Sequence, residues 1–222
     1  TMAAITAIAR RQDLWIISDE VYRDLSLVGP AAEPVETDPE AAARTVVVDS
    51  FSKRFSMTGW RVGSVTAPKE LASALTSLMS STVTHACSVS QHAALAALRL
   101  DGTWESERLA RHRSCRDLTV RTLDALEGVR LSGSDSGLYA FPDVSGWLEM
   151  AGIESDDALC AHLREDFGLL LVPGTPFGAP NRFRLSWCID ERRLSVALQR
   201  LTEAHPYPRV SPAPPSLGRT RP

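Results

Sequence analysis

Ser50-Phe51-Ser52-Lys53-Arg54-Phe55-Ser56-Met57-Thr58-Gly59-Trp60-Arg61-Val62-Gly63 is the stretch that decides how this chain is read. It grows out of Thr45-Val46-Val47-Val48-Asp49-Ser50, a β-branched run bounded by polar residues, which predicts a strand. Upstream, Leu14-Trp15-Ile16-Ile17-Ser18 has the length and composition of a buried parallel strand and leads into Asp19-Glu20-Val21-Tyr22. Arg61 to Thr66 predicts a third strand. In α/β sheets ligands sit beyond the carboxyl ends of the strands. The clusters at 19–22 and 50–63 both occupy that position.

A lysine amine is protonated and a poor nucleophile unless burial or a neighbouring cation favours its free form. Lys53 is flanked by Ser50 and Ser52 and followed by Arg61. That set suits an aldehyde cofactor carrying a phosphate: the lysine takes the carbonyl carbon, and hydroxyls and guanidinium donate to phosphate oxygens. Asp19, at a strand end, could pair with a protonated pyridine nitrogen, and the Tyr22 phenol could donate to a ring oxygen. Farther on, Arg182-Phe183-Arg184-Leu185-Ser186-Trp187 alternates, placing both arginines on one strand face, where one could fork onto a substrate carboxylate. Read singly, each cluster is commonplace: a solvated Lys-Arg pair, acids at a helix start, charges on an edge strand.

Working outward, residues 2–11 read as the end of a helix, and 29–40 as a Gly/Pro loop. Helices are predicted over 69–83 and 88–100. A long polar helix follows over 103–127, with Leu109, Leu118, Leu123 and Leu126 facing inward and Gly128 stopping it. Short strands then alternate with helices: strands at 138–144, 169–172 and 182–187, helices at 155–167 and 190–204. Residues 205–222, rich in Pro and Arg without an acid, read as a disordered tail. This gives an α/β fold in which 1–102 is the remainder of a larger domain with a mostly parallel sheet. Residues 103–204 form a smaller α+β domain that includes the connecting helix. Three strands are too few to close a doubly wound sheet, so an upstream segment is expected to be missing.

Composition narrows the classes. Of 222 residues, 44% are hydrophobic and 23% charged, as in ordinary globular proteins. A net charge of −3 gives no electrostatic case for nucleic acid or membrane binding. No apolar run is long enough to span a bilayer. Cys87, Cys115, Cys160 and Cys188 are scattered, with no metal-ligand spacing, and are expected as free thiols in a reducing cytoplasm. The histidines show no metal spacing either.

In combination and order, Asp19-Glu20-Val21-Tyr22, the 50–63 stretch, Pro173-Gly174-Thr175-Pro176-Phe177-Gly178 and Arg182 to Trp187 resemble the class I/II aminotransferases of the fold-type I pyridoxal-phosphate enzymes. Ser136-Gly137-Leu138-Tyr139-Ala140-Phe141-Pro142 also looks like the family's Gly-x-Tyr strand. The resemblance runs over residues 1–204 and implies a fold-type I large domain followed by a small one. It implies pyridoxal 5′-phosphate as cofactor, with Lys53 as the Schiff-base lysine and proton shuttle. Asp19 would hold the pyridinium nitrogen, Tyr22 the phenolate oxygen, and Ser50, Ser52 and Arg61 the phosphate. Arg184, rather than Arg182, falls on the α-carboxylate position, while Met57 and Trp60 pack around the lysine loop. Amino acid and 2-oxo acid substrates and a homodimer follow from the same likeness. A family member carries a further stretch before the first cluster, so the chain reads as the carboxy-terminal portion of such an enzyme. A truncated homologue or interaction module, a carbon–sulfur lyase, a decarboxylating synthase and an aminotransferase-like regulator domain use the same lysine machinery or fold and stay open.

Overall fold

The computed structural model describes residues 2–29 and 39–206. Of the loop expected at 29–40, residues 30–38 fall outside the described residues, as does nearly all of the 205–222 tail, while Pro39 and Glu40 belong instead to a short helix. Two compact units divide the chain: residues 1–107 with 135–137, and residues 108–134 with 138 onward.

The first unit contains α1 (Met2–Arg11), β1 (Ile16–Asp19), α2 (Pro39–Ala42), β2 (Thr45–Ser50), α3 (Phe51–Arg54), β3 (Gly63–Thr66), α4 (Lys69–Thr82), α5 (Ser88–Ala97) and the start of α6 (Gly102–Asp124). Strands lie in the order β1-β2-β3. β1 and β2 run parallel, with Ile16 opposite Thr45 and Asp19 opposite Val48. β3 runs antiparallel to β2, Ser50 opposite Gly63, because α3 and the 3-10 turn Thr58–Trp60 reverse the chain between them. Gly63 is needed at that pairing: a Cβ there would meet the Asp49 carbonyl oxygen at 2.6 Å. Met57, Val62 and Ala94 form a small core with Phe51 and Phe55 against it. Trp60, expected to pack with Met57, is instead 44% exposed. The sheet is thinly covered: Ile17 of β1 is 74% exposed, and α4 buries no residue.

In the second unit, β4 (Tyr139–Ala140), β6 (Phe183–Ser186) and β5 (Val172–Pro173) form an antiparallel sheet in that order. With them go α7 (Ser145–Ala151), α8 (Asp156–Phe167) and α9 (Glu191–Ala204). The core gathers Val144, Trp147, Leu159, Leu163, Phe183, Trp187, Leu194 and Leu201. α8 starts on Ser155, whose side chain accepts from Ala158 N, and stops on Gly168 at φ +64. Asp190 caps α9 in the same way, accepting from Arg192 N and Arg193 N.

Three expectations are corrected. On α6 the buried positions are Arg108, Cys115, Thr119 and Leu123, while Leu109 and Leu118 are only half-buried. Thr119 tolerates burial because its hydroxyl donates to the Cys115 carbonyl (2.9 Å). α7 lies where the sequence showed no helix. His205, grouped with the tail by composition, is buried, with Nε2 2.8 Å from the Glu127 carbonyl and its ring 4.8 Å from Trp147.

Candidate active site

Because β1 and β2 are parallel, their carboxyl ends emerge side by side, and the Glu20 amide donates to the Val48 carbonyl (2.9 Å). The Asp19–Tyr22 turn is thereby set next to the Ser50–Lys53 turn. Ser50 is extended, and its side chain accepts from Ser52 N (3.1 Å) as α3 starts. Accepting that bond leaves the Ser50 hydroxyl proton able to donate elsewhere. One turn on, the half-buried Lys53 ammonium stands 5.7 Å from the centroid of the Tyr22 ring. Among the described residues Lys53 makes no ion pair.

The two acids of the β1 turn divide their work. Glu20 accepts from Arg23 Nη1 (2.6 Å) and Ser18 (3.1 Å). Asp19 is exposed, and among the described residues its Oδ1 accepts only the Val21 amide at 3.3 Å. Arg61 reaches the same strand ends through its backbone, since the adjacent Val62 carbonyl accepts from Phe51 N (3.3 Å). Arg61 itself takes a left-handed conformation (φ +51), and its guanidinium donates to the Thr58 carbonyl (3.0 Å). The structure thus brings Lys53 to Tyr22 and Ser50 to Ser52. Asp19 and Arg61 flank them at the surface without touching them.

Sequence reasoning missed Arg54. Its Nη1 lies 3.0 Å from Asp24 and its Nε 3.3 Å from Glu105, tying the lysine turn to the Tyr22 turn and to the first turns of α6. Phe55 beside it stacks between Phe51 and Trp104.

In the second unit the two same-face arginines of β6 differ. Arg182 donates to the Phe141 carbonyl (3.1 Å) and lies 3.8 Å from Asp143. Arg184 is flanked by two rings, with Cζ 4.7 Å from the Tyr139 centroid and 4.9 Å from that of Phe177. Among the described residues no carboxylate pairs with it. Such a guanidinium keeps a forked set of donors for an incoming carboxylate. Gly174 closes the turn that presents Phe177: its amide donates to the Arg182 carbonyl (2.8 Å), and a Cβ there would meet the Ala179 oxygen at 2.2 Å. Among the described residues no cluster of His, Cys, Asp or Glu could hold a metal ion, and no helix is long and apolar enough to cross a membrane.

Residues 1–201 match the family described as aminotransferase class I and II, and the chain belongs to that family. Aspartate aminotransferase from Rhizobium meliloti is 31% identical over 206 residues, covering 90% of this chain and 50% of that protein. The aspartate/prephenate aminotransferase of Cereibacter sphaeroides is 32% identical over 209 residues, covering 90% and 51%. Among solved structures, the aspartate aminotransferase of Thermotoga maritima superposes with a TM-score of 0.79 at 31% identity, over 90% of this chain and 50% of that one. The fold is accordingly α/β, part of the architecture of the pyridoxal-phosphate aminotransferases. The chain spans about half the length of the curated relatives it matches.

Proposed function

We propose that this chain carries the lysine-bearing half of a pyridoxal-phosphate-dependent aminotransferase, which moves an amino group between an amino acid and a 2-oxo acid. One observation carries the reading. Lys53 is held half-buried at the joined ends of two parallel strands, against the Tyr22 ring and with no carboxylate partner among the described residues. A structural lysine in that setting would be expected to have a counter-charge.

The donor set fits the cofactor. Ser50, Ser52 and Arg61 offer hydroxyl and guanidinium donors to a phosphate. Asp19, which among the described residues has only the Val21 amide as a partner, would hold the proton of a pyridinium nitrogen, and the Tyr22 phenol would donate to the ring oxygen. When bound, the cofactor supplies a carbonyl carbon and an electron-withdrawing ring. Lys53 would hold that carbon and then move the proton at the substrate α-carbon. Arg184 would fix the substrate α-carboxylate through its forked N–H groups. The relatives are named for aspartate, which makes aspartate the first amino donor to assay. The completed enzyme would work as a homodimer.

The chain has only two lysines, Lys53 and Lys69, so covalent capture reads the site directly. Pyridoxal phosphate is added, the adduct is reduced with borohydride, and the modified peptide is identified by mass spectrometry. Modification is expected on Lys53 in preference to the exposed Lys69, and Lys53→Ala abolishes it. Equal labelling of both lysines would overturn the reading. Aspartate consumption that requires a 2-oxo acid separates a transaminase from a lyase.

A further inference from the structure

The buried carboxylate of Asp156 has no role in the site described so far. We propose that Asp156 is a positioning residue that holds the Phe177 ring over the Arg184 guanidinium. Its bearing on substrate rests on the reading of Arg184 as the carboxylate grip.

An acid in the first turn of a helix ordinarily faces water, where the helix dipole favours it. Asp156, in the first turn of α8, is only 2% exposed. Burial disfavours a carboxylate unless its oxygens are bonded. Besides its own amide, the bonds come from one segment. Oδ2 accepts from Thr175 N (2.8 Å), and Oδ1 accepts from the Thr175 hydroxyl (2.9 Å) and from Asn181 N (3.3 Å). Burial pushes this carboxyl upward, yet the bonds from Thr175 and Asn181 outweigh it and leave its pKa below the ordinary value. Asp156 therefore fastens both ends of the turn that runs from Thr175 to Asn181.

Phe177 sits inside that turn, 50% exposed. Half-exposed, the ring is weakly anchored by burial. It meets the Phe141 ring edge-on (centroids 5.9 Å), and its backbone is held in place: Phe177 N donates to Gly174 O (2.8 Å), Ala179 N donates to the same oxygen (3.2 Å), and Asp156 holds the two flanks. Asn181 takes a left-handed conformation (φ +60) within this arrangement, a strain that the Asp156 bond to its amide helps to offset. One end of the fastening is a carboxylate that makes no ion pair among the described residues. The other is a ring 4.9 Å from an arginine that pairs with no carboxylate among the described residues.

The test uses the chain labelled with 15N-arginine, with the Arg184 Nε–H signal assigned by Arg184→Lys. In the unaltered chain, nuclear Overhauser contacts from the Phe177 ring to Arg184 are expected. They should vanish in Asp156→Ala and weaken in Asp156→Asn, which keeps one acceptor oxygen. Thr175→Val, which removes one donor and spares the acid, should weaken them likewise and serves if Asp156→Ala does not fold. Ser155→Ala, which loosens the start of α8 alone, should leave them intact. Contacts that persist in folded Asp156→Ala, that keep full intensity in Asp156→Asn, or that vanish equally in Ser155→Ala, overturn the proposal. Titration with succinate then tests the carboxylate reading separately. Its hold on Arg184 should weaken by roughly two- to fivefold in Asp156→Asn, the loss expected for one cation–π face. Should succinate leave Arg184 unmoved while the ring contacts still depend on Asp156, the carboxylate reading falls and the positioning role stands.

Discussion

Lys53 and Tyr22 meet across the ends of β1 and β2, the ammonium 5.7 Å from the ring centroid. A cation at that range is attracted to the ring face, by about 0.5–1 kcal/mol at a partly exposed site. A double-mutant cycle with Lys53→Met and Tyr22→Ala should return a coupling of that size in urea unfolding. Tyr22→Phe should retain most of it, because the ring and not the phenol makes the contact. A coupling indistinguishable from zero would mean the two turns are not fixed against each other.

Arg54 predicts a second measurement. Its guanidinium bridges Asp24 and Glu105, all three side chains being about one-quarter to one-third exposed. Arg54→Gln should destabilise the chain by about 1 kcal/mol, at the upper end for ion pairs near a surface. The loss should shrink in molar salt, where screening reaches pairs of this exposure. An effect insensitive to salt would assign the cost to packing against Phe55 instead.

How these features could be read from the sequence differs in a physical way. β1, β2 and the lysine turn were legible because a β-branched run ending in Ser-x-Ser-Lys is local information. The Tyr139, Phe177 and Arg184 pieces were legible as motifs, yet their convergence depends on antiparallel pairing among β4, β5 and β6. α7 was invisible: at seven residues it is shorter than the window in which helical periodicity emerges. The seam of α6 was misread in part: Leu123 lies in it as expected, but Arg108, Cys115 and Thr119 fill the rest where Leu109 and Leu118 were expected. Arg54 and Asp156 were out of reach, since their partners lie far along the chain and nothing local distinguishes them from surface charges.

Asp143 gives a pH dependence with a definite sign. The Ser145 hydroxyl (2.7 Å) and amide (2.9 Å), followed by Arg130, hold its carboxyl down to about 2, against an ordinary 3.8. A depressed folded-state pKa contributes stability above the unfolded value that is lost as pH falls through the folded one. The contribution should be on the order of 2 kcal/mol at pH 6 and disappear between pH 4 and pH 2. Urea midpoints of the wild type and of Asp143→Asn should converge over that window. Parallel curves would remove Asp143 from the account of acid sensitivity.

Gly128 and Gly146 are packed backbone to backbone. A Cβ on Gly146 would meet Gly128 Cα at 2.6 Å, and one on Gly128, already at φ +73, would meet Gly146 C at 2.6 Å. Neither contact involves the end of a flexible side chain, so α7 itself must shift. Gly146→Ala should cost about 3 kcal/mol, the upper range for overpacking. Gly133→Ala, with open space around it, should cost only the strain of its positive φ, about 1 kcal/mol. Thermal melts of the two variants should therefore separate clearly.

Thiol labelling tests the second unit's core without any ligand. Cys160 is buried on α8, and burial, with Asp156 and Asp157 adding, pushes its thiol up to about 11. At pH 8 such a group is thiolate about one part in a thousand, and it is shielded as well. Cys87 is exposed, and the Ser90 and Val89 amides favour its thiolate. Iodoacetamide at pH 8 should therefore modify Cys87 first and leave Cys160 untouched until denaturant is added. In Asp156→Asn the Cys160 thiol loses one nearby negative charge but none of its shielding, so it should stay unreactive while the fold holds. Labelling of Cys160 at the Cys87 rate in native conditions would show that α8 does not pack as described, and would remove the base on which the Asp156 turn rests.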